Sequence, residues 1–232
     1  MSTKVTWLGH ATVLVRTGAG KTLIIDPWLE GNPLCPPEHL APRVDAILIT
    51  HGHPEHLGSA VALADRVRPE AVVGSRELCE WLTEQGVTST IGLNTGGSVE
   101  VAGTRVTMVR AEHSNGIRDG DRTVYGGAAA GYIIDLGELT LYHAGDTSLF
   151  GDMQLIGEMY EPDLALLPIG GYSTMGPSEA ARACRLLGVS QVVPIHYGTS
   201  PQLSGRPEEL LAALEVESPR CQVHALRPGE SI

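Results

Sequence analysis

The stretch Leu48-Ile49-Thr50-His51-Gly52-His53-Pro54-Glu55-His56-Leu57-Gly58 decides the reading of this chain. Three histidines and a carboxylate fall within six positions, directly after the apolar run Ala46 to Ile49. That run reads as a buried strand. A strand ending in such a cluster delivers several ligand-type side chains into one small space. Imidazole with carboxylate suits zinc, manganese, iron or nickel better than calcium or magnesium. A His-rich polar loop is the plain alternative, and further residues weigh against it. Val106-Thr107-Met108-Val109 reads as a strand and is followed by Glu112-His113-Ser114. Leu139-Thr140-Leu141-Tyr142 leads to His143-Ala144-Gly145-Asp146-Thr147, and Val192-Val193-Pro194-Ile195 leads to His196-Tyr197-Gly198. In layered α/β folds the functional groups collect on loops at the carboxyl ends of strands. One such case is weak, but four in one chain point to a metal site.

The order His51, His53, Glu55, His56, His113, Asp146, His196 resembles the metallo-β-lactamase superfamily, whose hallmark is His-x-His-x-Asp-His followed by a distant His, Asp and His. Trp7-Leu8-Gly9-His10-Ala11-Thr12, Ile25-Asp26-Pro27, Leu167-Pro168-Ile169-Gly170 and Thr174-Met175-Gly176-Pro177 resemble one branch of it. That branch holds uncharacterised metal-dependent hydrolases, ascorbate-6-phosphate lactonase and the phospholipase D acting on N-acylphosphatidylethanolamines. The resemblance runs from about Val5 to beyond His196. It implies an αβ/βα four-layer sandwich with the ligands at one rim between two sheets, and two divalent transition-metal ions, zinc first among the candidates. His51, His53 and His113 would hold the first ion, His56, His196 and Glu55 the second, and Asp146 would bridge them. A metal-bound hydroxide would then cleave a small ester, lactone or phosphodiester.

Glu55 departs from the pattern, because the family has Asp there. Metal–oxygen distances tolerate only about 0.2 Å of slack, and glutamate sits one methylene further from the backbone. Either the loop shifts, or the second ion moves, or Glu55 does not coordinate. His10 could donate to a ligand, reach the substrate, or simply pack. With Asp146 and Glu55 it completes the candidate catalytic residues. Asp26 is suited to orient an imidazole, since ligand histidines usually donate their far N–H to a carboxylate or carbonyl. His143 and Tyr197 read as packed residues, and His39 and His224 as surface ones.

Composition sets the remaining bounds. The 232 residues suffice for one large domain over 1–232, with 42% hydrophobic residues and a net charge of −11. That charge disfavours nonspecific nucleic-acid binding, which needs basic surface to release counterions, and so argues against a superfamily nuclease. A non-catalytic metal-binding protein is the other alternative. Cys35, Cys79, Cys184 and Cys221 have no metal-ligand spacing and read as buried free thiols. No signal peptide precedes Val5 and no apolar run approaches a membrane span, so a cytoplasmic protein is expected. The expected partners are a small-molecule substrate and, at most, further copies of the chain in a homo-oligomer.

Along the chain, strands are expected at Val5–Leu8, Val13–Arg16, Leu23–Asp26 and Ala46–Ile49, then a helix over Leu57–Val67, a strand at Ala71–Gly74 and a Ser75-capped helix ending at Gly86. Hairpins follow about Gly103 and Gly137. Strand–helix units follow at 164–187 and 191–214, and 222–226 forms an edge strand. The polar segment Ser114–Gly127 reads as a lid or pocket wall. Its Arg118 and Arg122 would suit an anionic substrate. Gly170–Met175 is expected to form a second wall.

Overall fold

Alternation governs the first half of the chain. In the strands β1 (Lys4–Trp7), β2 (Val13–Arg16), β3 (Thr22–Ile25), β4 (Ala46–Leu48) and β5 (Ala71–Ser75), successive side chains turn to opposite faces of the sheet. Val13, Val15, Leu23, Ile25, Leu48 and Val73 enter one core, while Ile24, Ile47 and Val72 enter another. Both faces are therefore covered, which is why these strands read as nearly continuous apolar runs.

The protein is described by a computed structural model covering residues 2–232. Among these residues, β1 to β5 and β6 (Thr90–Leu93) form one sheet in chain order, antiparallel over β1–β3 and parallel from β3 to β6. The second sheet takes β7 (Ser98–Val101), β8 (Thr104–Arg110), β11 (Ala130–Asp135), β12 (Thr140–His143), β13 (Leu164–Pro168), β14 (Gln191–Ile195) and β15 (Gln222–Val223), in the order β15-β14-β13-β12-β11-β8-β7. The remaining strands, β9 (Gly116–Asp119) and β10 (Arg122–Tyr125), pair as a separate hairpin.

Three cores give four layers. The central one joins the facing sheets through Val5, Trp7, Leu48 and Val73 on one side and Met108, Tyr132, Leu166 and Ile195 on the other. Tyr132 crosses the gap: its hydroxyl donates to the Ile49 carbonyl at 2.7 Å, at the end of the motif strand. Outside the first sheet lie α1 (Pro54–Leu57), α2 (Ala60–Val67) and α3 (Arg76–Glu84), which bury Leu63, Leu78 and Leu82. Outside the second lie α4 (Met153–Tyr160), α5 (Pro177–Leu187) and α6 (Pro207–Glu217), over Ile156, Ala180, Leu187 and Leu210. Truncating a fully buried member such as Leu48 to alanine costs about 2–5 kcal/mol. This is the αβ/βα sandwich expected from the sequence. No helix among the described residues is long and apolar enough to cross a membrane.

Several expectations need correction. The helix expected over Leu57–Val67 is two pieces, broken at Gly58, where φ is 33° and an added Cβ would lie 2.8 Å from the Trp28 Cα. Its first turn starts earlier, with Pro54 at the position where a missing N–H costs nothing. Glu55 and His56 thus sit on a helical turn rather than on an open loop. Ser75 stands at the N-cap of α3 as expected but makes no side-chain capping bond; its hydroxyl donates to the Gly126 carbonyl. The strand β6 and the helix α4 were not expected. The segment 114–127 is a formed hairpin whose Ile117 is buried in the outer core, with Arg118 and Arg122 exposed. Cys79, Cys184 and Cys221 are buried thiols, whereas Cys35 is half-buried.

Candidate metal centre

Each strand end expected to carry a ligand delivers it to the same rim. His51 follows β4, His113 follows β8, Asp146 follows β12 and His196 follows β14. His10 arrives from the turn after β1, and His56 from α1. Three groups of potential donors result: His51, His53 and His113; His51, His56 and Asp146; and His10, His56 and His196. Within each group one donor atom per residue lies within 4.8 Å of the others. The groups overlap, so the pocket is continuous.

Asp146 occupies its middle. Its Oδ2 lies 2.9 Å from His196 Nε2 and 3.6 Å from His113 Nε2, and its Oδ1 lies 3.3 Å from His56 Nε2. Around it the rings crowd together, with centroids 4.0 Å apart for His51–His56 and for His10–His196.

The far sides of the rings are held by groups outside the pocket. Asp26 is fully buried, and its Oδ2 takes the His56 Nδ1–H at 2.7 Å. The same carboxylate accepts from the Thr50 backbone N–H and hydroxyl, at 2.8 and 2.7 Å. The Thr50 oxygen, its proton spent on Asp26, meets His51 Nδ1 at 3.0 Å. This chain leaves His51 Nε2 facing the pocket and matches the carboxylate–imidazole support typical of ligand histidines. His10 Nδ1 is bonded to Thr199 Oγ1 at 2.8 Å, and His53 Nε2 to Ser114 Oγ at 3.2 Å. The motif loop is pinned by Asn115, whose Oδ1 accepts the Gly52 N–H at 2.7 Å. Thr50, Ser114, Asn115 and Thr199 were not singled out from sequence. Thr50 could have been, since it adjoins the motif, but nothing local marks Thr199.

Strained backbone concentrates here. His10, Asp26 and His196 adopt left-handed φ values of 54°, 48° and 56°. Such conformations persist only where surrounding structure enforces them. The enforcement is visible: the His10 carbonyl accepts from the Trp7 indole and from the His196 backbone N–H, both at 2.8 Å.

The electrostatics divide the histidines. Burial, aided by neighbouring imidazoles, lowers His10 to about 2 and takes His51 well below its ordinary value. Burial also lowers His53 and His113. Burial opposes the charge on His56, but Asp146 and Asp26 outweigh it and raise His56 to about 10. Burial likewise opposes the Asp146 carboxylate, and His56 and His196 overcome it, holding Asp146 well below the usual carboxylate range.

The residues fit a metal. Among the described residues, the buried atoms His10 Nε2, His56 Nε2, His196 Nδ1 and Asp146 Oδ1 make no hydrogen bond. Buried polar atoms are nearly always bonded, and four exceptions at one spot call for a ligand that accepts lone pairs. Neutral imidazoles and a carboxylate form a donor set suited to divalent transition metals.

The other candidates sort clearly. Glu55 belongs to none of the three donor groups. It is half-buried and lines a cavity of about 280 Å³ with His10, Trp28, Pro54, Thr199, Ser200 and Leu203. Larger clefts, such as one of about 660 Å³ beside α4 and α5, contain none of the pocket's donors. His143 is structural: its Nε2–H donates to the Ala11 carbonyl, and its Nδ1 accepts the Gly145 N–H. Tyr197 stacks on Trp7 with centroids 5.2 Å apart. His224 bonds to Gln191, and His39 is half-buried away from the pocket. Gly170 packs against the His196 carbonyl, but none of Gly170–Met175 lines the cavity beside His10.

Residues 21–197 match the model of the beta-lactamase superfamily domain. The chain is 48% identical over 230 residues to a UPF0173 metal-dependent hydrolase of Koribacter versatilis, covering 98% of this chain and 97% of the relative. A relative of the same description from Methanopyrus kandleri is 44% identical, with 98% of each chain covered. Among solved structures, Igni18, a metallo hydrolase from Ignicoccus hospitalis, superposes with a TM-score of 0.86 at 35% identity, covering 99% of this chain and 97% of that one. An isothiocyanate hydrolase from Delia radicum gut bacteria shares the fold, with a TM-score of 0.73, 21% identity and coverage of 99% and 98%.

Proposed function

The chain belongs to the beta-lactamase superfamily domain family, and from that premise we propose that it is a metal-dependent hydrolase whose histidine–aspartate pocket takes two divalent transition-metal ions and whose substrate is a small ester, lactone or phosphodiester. One observation carries the reading. Three donor groups overlap through His51 and His56, and four buried atoms there, His10 Nε2, His56 Nε2, His196 Nδ1 and Asp146 Oδ1, are unbonded, while the Nδ1 atoms of His10, His51 and His56 are tied to Thr199, Thr50 and Asp26. Divalent ions bound there would make a water acidic enough to act as nucleophile near neutral pH and would polarise the bond under attack.

The chain's own residues do the rest. His51, His53 and His113 form one set of donors, and His56 and His196 belong to the other. Asp146 lies between them and supplies the negative charge that lets two cations sit close together. Asp26 fixes the ring of His56 and, through Thr50, that of His51, so the pocket holds its shape before any ion enters. The cavity at Trp28, Glu55, Thr199, Ser200 and Leu203 is at the small end of ligand pockets, which favours a compact substrate. Trp28 and Leu203 give it an apolar wall. Glu55, Thr199 and Ser200 offer hydrogen-bonding groups. The residues 1–232 act as one hydrolase domain, since both sheets contribute donors to the pocket.

The test is a substrate panel of small esters, lactones and phosphodiesters run on protein reconstituted with zinc, manganese or iron, beside the chelated form. Turnover of at least one class that is lost on chelation and restored by metal is expected. Metal-loaded protein inert towards all three classes would overturn the substrate assignment, and protein that takes up no metal would overturn the whole reading.

A further inference from the structure

In the donor pocket, His10 occupies the place expected for a carboxylate. We propose that His10, together with His56 and His196, holds the second ion in this chain, and that Glu55 does not coordinate. The inference rests on the metal-dependent reading above and deepens it by assigning a ligand.

The geometry supports His10 on four counts. Its ring is 3% exposed, and Nε2 has no hydrogen-bond partner among the described residues. Nδ1 is already bonded to Thr199 Oγ1 at 2.8 Å. In the tautomer whose Nδ1–H donates to that hydroxyl, Nε2 carries a lone pair, as a coordinating imidazole requires. One donor atom of His10 lies within 4.8 Å of donor atoms from both His56 and His196, and the ring centroids are 5.4 and 4.0 Å apart. Finally, the His10 carbonyl takes the His196 backbone N–H at 2.8 Å, so two left-handed residues from opposite sheets are locked as a pair. Such a conformation at a non-glycine residue is a strain maintained for position. His143 shows what a structural histidine looks like in the same fold, with both nitrogens bonded to backbone.

Glu55 has the opposite character. It is half-buried, lies on the α1 turn begun by Pro54, and belongs to no donor group. It lines the cavity beside Thr199 and Ser200. Its extra methylene, which makes it a poor substitute for aspartate within the narrow tolerance of metal–oxygen distances, is no obstacle once an imidazole takes the coordination position.

The experiment is metal titration by calorimetry and elemental analysis on the full chain, comparing wild type with His10→Asn and Glu55→Gln. Asparagine tolerates the left-handed backbone but is too short to replace the imidazole. Unchanged circular dichroism verifies that the variant folds. The expected result is two ions for wild type and for Glu55→Gln. For His10→Asn the affinity for the second ion should fall more than about 100-fold, beyond the loss typical of outer hydrogen-bond partners, with the first ion retained. In cobalt-substituted wild type, the His10 ring N–H should give a far-shifted, slowly exchanging proton resonance that is lost in His10→Asn and displaced in Thr199→Val. The inference is overturned if His10→Asn binds two ions as tightly as wild type, if Glu55→Gln loses an ion, if wild type binds only one, or if no such resonance exists. A wild type that binds no ion would instead sink the metal-dependent reading itself.

Discussion

The two halves of the donor pocket are built differently. The inner half, His10, His56 and His196, is buried to 3% exposure or less, and two of its three residues have left-handed backbone. Two of its rings are fixed from behind, His56 by Asp26 and His10 by Thr199. The outer half includes the buried His51, but His53 and His113 are only half-buried, and His53 is held by the His51 ring at 3.0 Å and the Ser114 hydroxyl at 3.2 Å. The inner half is an assembled cage, and the outer half is a rim open to solvent. The cavity proposed for the substrate opens beside His10 of the inner half, where pre-organisation matters most, because a substrate must approach without loosening the groups that hold its metal. Asp146 is the joint, within 3.6 Å of histidines from both halves.

The comparison predicts a graded series of effects. Replacing the joint should cost most. Asp146→Asn keeps the shape but removes the charge shared by both halves, and kcat on the substrate identified should fall about 100-fold or more, comparable to losing a main electrostatic contributor. A loss of less than about threefold would show that Asp146 does not join the halves. Asp26→Asn comes next. It should weaken metal affinity by about 10–100-fold, with the loss falling on the inner half. Titration showing both ions weakened equally would mean that Asp26 acts on the pocket as a whole, through Thr50 as much as through His56.

The metal-free protein should reveal the buried histidines of the pocket through pH. His10 and His51 are lowered in the fold from an ordinary 6.5, so below about 6.5 the unfolded chain binds more protons than the folded one, and stability falls as pH falls. His56, raised to about 10, acts in the other direction: its contribution is full below 6.5 and is lost as pH rises towards 10. Melting temperature of chelated wild type should therefore peak near pH 6.5. In His10→Asn the acid side should be shallower, and an unchanged acid side would remove His10 from the account. The smallest effect belongs to the rim. Ser114→Ala should change outer-ion affinity by less than about fivefold, since a long neutral hydrogen bond is worth about 0.5–1 kcal/mol.

What was legible in the sequence follows the same division. The histidines and Asp146 could be read because each ends an apolar strand, a pattern local in the chain. The sandwich could be read from strands apolar on both faces. The hairpin β9–β10 and the strand β6 could not, because they are largely exposed or contain glycine and lack a sustained alternation. The helix α4 was missed because its buried residues, Met153, Ile156 and Gly157, include a glycine that reads as a break. His10 was visible as a candidate, but its pairing with His196 joins the first sheet to the second across more than 180 residues, and no local pattern encodes that contact. Glu55 looked like a ligand by position alone. The turn that begins at Pro54 places it on the lining of the cavity beside His10, outside the three donor groups.

The central claim is that these histidines and Asp146 form a metal centre, and metal content tests it most directly. Protein produced with zinc, manganese, iron and nickel supplied, then freed of loose metal, should carry about two transition-metal ions per chain by elemental analysis. His51→Ala, which touches both halves, should lose most of that metal, and His113→Ala should lose the outer ion alone. Wild-type protein that emerges metal-free from every one of these conditions would contradict the account.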